Sequence, residues 1–251
     1  MAILSIGVMA TQVSAKFCEQ IQACRNTWKQ DADRLNIRVF FFCGGIIDTK
    51  VDGPDVVHLE GVQDDYLSAT HKQYRGLAYM HNNFESNFYL LIGSDNYVDV
   101  EALVRELSKY PSTTPSCVGG HVQKRNVGLK QITFMLGGGG LLLTNAAMGI
   151  ICPMFPKIMQ SWETRCSEHK LDWLAAACDV SLCEACWDNG IDLVSNKKFY
   201  CCAFSGRFEN PDIDFTPLIG GVDLSNMIVC HYMTPDEMFN FHGLVKFNRK
   251  T

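Results

Sequence analysis

Leu90-Leu91-Ile92-Gly93-Ser94-Asp95-Asn96-Tyr97-Val98-Asp99-Val100 is the stretch on which the fold turns. An uninterrupted apolar run stops at Gly93 and a carboxylate follows two residues later. A strand with apolar residues at consecutive positions is covered on both faces, which is the habit of parallel sheets. A polar residue just beyond its carboxyl end lies where open α/β sheets hold their ligands.

Working outward, the same alternation repeats. Asp64 or Asp65 can cap a helix that runs to about His81 and leads into the 88–92 strand. Before it come an apolar run from Ala2 to Met9, a loop at Thr11-Gln12, and a helix after Ser14 with Phe17, Ile21, Cys24 and Trp28 on one face. A β-rich run follows at Ile37 to Phe42, then a short strand at Val56 to Leu59. Beyond it, Val100 to Tyr110 is amphipathic. Strands are expected at 117–121 and 131–136, helices after Thr144 and at 173–188, and a strand at 227–230. Strands alternating with helices predict βαβ units and a mainly parallel sheet.

The bulk numbers fit one sizeable α/β domain: 251 residues, 47% hydrophobic and 20% charged. A net charge of −5 argues against nucleic acid as a partner. No stretch approaches the roughly 18 apolar residues of a membrane span, since glycines break the run from Phe134 to Met148. Met1 opens straight into the first strand without a basic leader, so a cytoplasmic or otherwise soluble protein without an anchor is expected. The alternative is a luminal Golgi domain whose anchor has been removed. The 12 cysteines sit among apolar residues and read as buried free thiols. Cys183-Glu184-Ala185-Cys186 has metal-site spacing, but a zinc site needs a second pair, and Cys201-Cys202 is the nearest.

Four segments carry candidate chemistry. Asp95 at a strand end suits Mg²⁺ or Mn²⁺, which take a carboxylate together with substrate phosphates. Taken alone, the commoner reading of Gly93-Ser94-Asp95-Asn96 is a turn. Gly137-Gly138-Gly139-Gly140 interrupts an apolar run and implies close approach of a ligand or another strand. No Lys-Ser/Thr pair follows, which excludes a phosphate loop of the Walker type. Asp179, among apolar residues near a helix start, is either a general base or a carboxylate stabilising the helix dipole. His231 lies in a strand-to-helix corner just before Thr234-Pro235-Asp236-Glu237, a capping box with Pro at the first helical position. It is a candidate metal ligand, although a lone His is more often structural.

Taken together, these segments resemble the β1,3-glycosyltransferase superfamily that includes the Fringe, β3-galactosyltransferase and core 1 galactosyltransferase enzymes. The resemblance runs from about Arg25 to about Leu244. Arg25-Asn26-Thr27-Trp28 resembles R-x-T-W, and Asp65-Tyr66-Leu67-Ser68-Ala69-Thr70-His71-Lys72 resembles D-x-Y-x-N-L-T-x-K. Asp95-Asn96-Tyr97-Val98 falls on D-D-D-x-Y-V, the glycines on G-G-A-G, Cys178-Asp179-Val180 on E-D-V, and His231-Tyr232 with Pro235 and Met238 on H-Y-x-x-P-x-x-M. Each is weak alone; six in one order are specific. Two departures stand out. Gly93 and Ser94 replace the first two acids of the triplet, and Cys178 replaces the first acid of E-D-V.

The resemblance implies a GT-A, Rossmann-like α/β fold: one domain over 1–251 with a mostly parallel central sheet flanked by helices. Residues 1–110 would mainly bind nucleotide and 111–251 would mainly serve acceptor and catalysis. It implies an inverting transfer from a UDP-sugar donor to a glycan or glycoprotein acceptor, forming a β-linkage. Asp179 would be the base, and Asp95 and His231 would hold Mn²⁺ (or Mg²⁺). Donor contacts are expected from Thr11, Gln12, Gly93, Ser94, Asp95, Gly138 and Gly139. Arg25 and Lys72 are either donor contacts or members of structural ion pairs. A retaining enzyme of the same fold, or an inactive relative that binds glycan or nucleotide sugar, are the alternatives.

Overall fold

In the computed structural model, residues 2–45, 51–202 and 227–249 are described. The expected alternation is present. Strand β1 (Ala2–Met9) leads to helices α1 (Ala15–Asn26) and α2 (Trp28–Arg34), then to β2 (Arg38–Cys43), β3 (Val56–His58) and helix α3 (Ala69–Asn83). Next come β4 (Ser86–Gly93), β5 (Tyr97–Val98), α4 (Val100–Leu107) and β6 (Ser116–Gly119). A hairpin of β7 (Val122–Val127) and β8 (Lys130–Met135) precedes β9 (Leu141–Thr144), α5 (Asn145–Ile151), α6 (Phe155–Glu168) and α7 (Cys178–Asp188). The described chain closes with β10 (Asp192–Ser195), β11 (Phe199–Tyr200), β12 (Val229–Cys230) and α8 (Pro235–Asn248).

Seven strands form the main sheet in the order β10-β6-β9-β4-β1-β2-β3. Every neighbouring pair is parallel except those made by β9, which runs antiparallel to β4 and to β6. Alternate side chains serve opposite layers, as the pleat requires. Leu4, Ile6, Val8, Phe41 and Leu90 pack toward α1, α2, α4 and α8. Phe42, Tyr89, Leu91 and Leu143 pack toward α3, α5, α6 and α7. That double coverage is why β1, β2 and β4 read as near-continuous apolar runs. Among the described residues no helix is long and apolar enough to cross a membrane.

Helix α3 lies close on the sheet because Phe42 is wedged between two glycines. A Cβ on Gly7 would meet the Phe42 ring at 2.7 Å, and one on Gly76 would meet it at 2.6 Å. Burying such a ring contributes about 1.5–3 kcal/mol, and it does so only while both positions lack a side chain.

Four sequence expectations need correction. The face Phe17-Ile21-Cys24-Trp28 spans two helices, because the chain turns at Thr27, and Phe17 faces a cavity instead of the core. Helix α3 starts at Ala69 rather than directly after Asp64 or Asp65, since Asp65 accepts a hydrogen bond from the Ser68 amide in the preceding turn. The expected helix 173–188 is a 3-10 turn over Asp172–Ala176 followed by α7, with the break at Ala177. The glycine run is not strand: Gly137–Gly139 form a 3-10 turn, and Gly140, at φ +84°, sends the chain back as β9. A positive φ of that size is open to Gly at little steric cost.

Candidate functional site

A cavity of about 540 Å³ opens at the carboxyl ends of β1 and β4. Thr11, Lys72, Gly93, Ser94, Asp95, Gly138, Asp179 and His231 all line it. Residues from both halves of the sequence thus meet at the sheet position where ligands of such folds bind.

Asp95 is held by the turn that follows β4. The Gly93 amide donates to Asn96 Oδ1 at 2.8 Å, and Asn96 Nδ2 reaches the Gly138 carbonyl at 2.6 Å. Trp28 Nε1 donates to the Asn96 carbonyl at 3.1 Å, which fastens the turn to α2. The turn is tight: a Cβ on Gly93 would lie 2.7 Å from Asp95 Oδ1. A side chain there would push on the Asp95 carboxylate and the Asn96 amide, the two side chains that occupy the position of the family pattern's first acid. Ser94 is buried and donates to Gln20 Oε1 at 3.0 Å.

His231 reaches Asp95 through a small second sheet of β11, β12 and β5. Antiparallel pairing sets Cys230 opposite Tyr97, so His231 leaves β12 beside the Asp95 turn. The Met233 amide donates to the Asp95 carbonyl at 2.9 Å, and Tyr232, at φ +56°, makes the corner. The capping box expected at Thr234 and Glu237 is complete and starts α8. His231 Nε2 stands 3.3 Å from Asp95 Oδ2. Burial pushes the Asp95 carboxyl up, but the charge and hydrogen bond of His231 outweigh it and hold the carboxyl below its usual range. Burial in turn pushes His231 down, and Asp95 with the Cys201 carbonyl reverses this, leaving the imidazole above its usual value.

The pair fits a divalent cation. Two donors each about 2.1 Å from an octahedral ion, at a right angle, lie about 3.0 Å apart. Asp95 and His231, at 3.3 Å, need little adjustment. Among the described residues no group of three or more His, Cys, Asp or Glu side chains is placed to hold a metal. The chain would therefore supply two donors and leave the rest of the shell to substrate phosphate and water, the usual arrangement for Mg²⁺-type sites.

Asp179 sits in the first turn of α7. Its Oδ2 accepts from the Gly137 amide at 2.9 Å and its Oδ1 from the Val180 amide at 2.8 Å. Burial raises the carboxyl above its usual range, against the opposing pull of these amides and of the Arg125 charge. Two of its four lone-pair sites remain for a proton.

The glycine run lies beneath both of these groups. A Cβ on Gly137 would come 2.7 Å from Asp179 Cβ, and one on Gly138 would come 2.3 Å from His231 Nδ1. One on Gly139 would strike the Phe199 carbonyl at 2.8 Å. Close approach explains the run, but the neighbours are a carboxylate, an imidazole and another strand.

Three expected site residues do not line the cavity among the described residues. Arg25 pairs with Asp55 at 2.5 Å and lies over the Phe41 ring, so its structural alternative is the one seen. Gln12 donates to the Val51 carbonyl at 2.8 Å, and Gly139 is buried. Lys72 does line the cavity, yet it is also ion-paired: Nζ reaches Asp64 Oδ1 at 2.5 Å and the Ala10 carbonyl at 3.0 Å. Asp64 further accepts from the amides of Gln12 at 2.7 Å and Gly44 at 3.0 Å. Spacing back from Lys72 puts the D of D-x-Y-x-N-L-T-x-K on Asp64, not Asp65, and this bond explains that register. Sequence reading also missed Tyr66 as a lining residue in its own right, and Arg125 and Phe134 from the hairpin. The middle of β7, Gln123 to Asn126, is polar on both faces, which leaves little periodic signal around Arg125.

The sequence profile of the Fringe-like family matches residues 8–171, well over half of the chain. No curated protein matches the chain by sequence. Among solved structures, the chain is similar to a glycosyltransferase involved in the glycosylation of the major capsid of PBCV-1, at 6% identity, with 97% of this chain and 100% of that chain covered and a TM-score of 0.51. It is similar to the apo form of the glycosyltransferase GlyE of Streptococcus pneumoniae TIGR4, at 12% identity and TM-score 0.54, covering 96% of this chain and 60% of that one. It is also similar to the galactosyltransferase LgtC in complex with donor and acceptor sugar analogs, at 10% identity and TM-score 0.52, with 96% and 95% covered. At such identities the likeness speaks to fold, and the profile speaks to family: the chain belongs to the Fringe-like family and has the GT-A glycosyltransferase architecture.

Proposed function

We propose that the protein is an inverting, metal-dependent glycosyltransferase. It would move a sugar from a UDP-sugar to an acceptor hydroxyl and leave a β-linkage. The observation that carries this reading is the facing of two unlike sites on one cavity: the Asp95–His231 pair, and the Asp179 carboxylate across the glycine turn.

Inversion is a single displacement at the anomeric carbon. The acceptor oxygen forms the new bond as the bond to the diphosphate oxygen breaks, and the electron pair leaves with UDP. Asp179 takes the acceptor proton; burial raises its basicity, and the Gly137 and Val180 amides fix its direction. A Mn²⁺ or Mg²⁺ bound between Asp95 and His231 would supply positive charge to the leaving diphosphate. Thr11 and Lys72 sit on the β1 side of the cavity and are proposed to face the nucleotide, as are Gly93, Ser94 and Gly138. Lys72 already neutralises Asp64, so its part is to shape that wall instead of carrying free charge to phosphate.

The test is a screen of UDP-sugars for thermal protection with Mn²⁺ and with EDTA, followed by NMR of the product's anomeric proton. A ligand binding only the folded protein at 100 times its dissociation constant adds roughly 2.7 kcal/mol. Protection in Mn²⁺ that EDTA removes, with a β-product, is expected. Full activity in EDTA, or an α-product from an α-linked donor, would overturn the metal and inverting assignments respectively.

A further inference from the structure

Among the described residues, Arg125 is the one guanidinium or ammonium group in the cavity wall with no use in the reading above. It projects from β7, is half-buried, and lines the cavity. Its guanidinium carbon lies 5.4 Å from the centre of the Trp173 ring and 5.9 Å from that of Phe134. Lys72, the other cation lining the cavity, is paired with Asp64, whereas Arg125 makes no ion pair or side-chain hydrogen bond among the described residues. Burial raises the titrations of Asp179 and Tyr66, and the Arg125 charge reaches both, pulling against that rise. Asp179 is close enough to feel the charge but directs its oxygens to backbone amides.

Stacking on aromatic rings engages the faces of a guanidinium and leaves its edge N–H groups free. A carboxylate, sulfate or phosphate oxygen pair matches that edge in a bidentate manner. Tyr66 stands beside the same space: it lines the cavity, is 79% exposed, and lies within electrostatic reach of both Asp179 and Arg125. Such an exposed ring offers a flat apolar face of the kind a sugar's C–H face can cover.

We propose that Arg125 reads an anionic group on the acceptor, so that the acceptor is an acidic glycan whose reacting hydroxyl lies at Asp179 and whose ring rests on Tyr66. This names the acceptor class and rests on the proposed function for the role of Asp179. Binding of the acidic sugar itself needs no donor, and the test uses that.

The probes are methyl glycosides in matched pairs, galactoside with galacturonide and glucoside with glucuronide, titrated into donor-free protein by calorimetry or saturation-transfer NMR. The wild type should bind at least one uronide about 10- to 100-fold more tightly than its neutral partner, the range of a charge-assisted hydrogen bond. In Arg125→Gln the two members should bind alike, and Arg125→Lys, which keeps the charge without the fork, should recover part of the difference. Tyr66→Ala should weaken both members; unchanged binding would remove Tyr66 from the site. Melting temperatures of the variants separate a lost contact from a lost fold. No uronide binding by the wild type, no preference over the neutral partner, or a preference that survives in Arg125→Gln would overturn the proposal. UDP-sugar binding is measured separately, so a failure of the transferase reading shows there and not here.

Discussion

If Asp95 and His231 hold the proposed metal, adding one methyl group at Gly138 should weaken its binding. The new Cβ would lie 2.3 Å from His231 Nδ1 and 2.7 Å from Cε1, where ordinary contact begins at 3.4 Å. The imidazole must retreat by about 1 Å or the turn must open. The turn resists, because the Gly138 carbonyl holds Asn96 and the Gly140 amide closes on Gly137. If the ring gives way, the 3.3 Å spacing to Asp95 widens beyond what one octahedral ion can bridge. Disturbing a ligand's support typically lowers metal affinity about 10–100-fold, and a misplacement near 1 Å can cost about 10²-fold in rate. The assay is a Mn²⁺ titration of UDP-sugar turnover and binding by Gly138→Ala. Its half-saturating Mn²⁺ should rise by that factor, with a melting temperature near wild type. Gly137→Ala is the control, since its Cβ would press on Asp179 Cβ at 2.7 Å. It should lower kcat and leave the Mn²⁺ requirement where it was. Wild-type Mn²⁺ dependence in Gly138→Ala would refute the argument that the glycine exists to admit the imidazole.

Asp179→Asn should reduce kcat by about 10²–10⁴-fold with little change in donor affinity. A carboxylate serving only the helix dipole would instead cost about 0.3–1 kcal/mol of stability at normal turnover. Burial holds the Asp179 pKa above the usual carboxylate range, and a base works only when ionised, so if Asp179 is that base wild-type kcat should fall as pH drops through the raised value. The same acidic limb should vanish from the residual activity of Asp179→Asn. Lys72→Met strands Asp64, in a pair whose side chains are 5% and 12% exposed, and should lower stability by about 3–5 kcal/mol in denaturant titration. Adding Asp64→Asn should return part of that loss, as expected for coupled neighbours. All 12 cysteines are free in the structure. Thiol titration of the unfolded, unreduced protein should count nearly all of them, and stable disulfides would contradict it.

The sheet and the placing of much of the candidate site were legible because each rests on local signals. Apolar runs ending in polar turns placed Asp95 at a strand end, and the capping box after His231 fixed the corner that presents it. What lay beyond the sequence was pairing across distance. Arg25 and Asp55 are 30 residues apart and nothing local couples them. Asp64 looked like a helix cap because Asp often is one, whereas it serves three separate segments. The run from Phe134 to Leu141 read as one apolar piece, and the reversal inside it became visible only through Gly140 and the antiparallel β9. Arg125 sat in a polar strand whose meaning depends on Trp173, from another part of the chain.

The bonds of Asp64 have a consequence for how the cavity behaves when empty. One carboxylate joins the Gln12 amide after β1, the Gly44 amide after β2 and the ammonium of Lys72 on α3. Three segments that could otherwise fluctuate separately share a single knot, so they should open together or not at all. The amide protons of Gln12 and Gly44 would then exchange with solvent at a common rate, and Asp64→Ala would release both at once. A wall tied in this way is already shaped before a nucleotide arrives, and binding has little of it left to order.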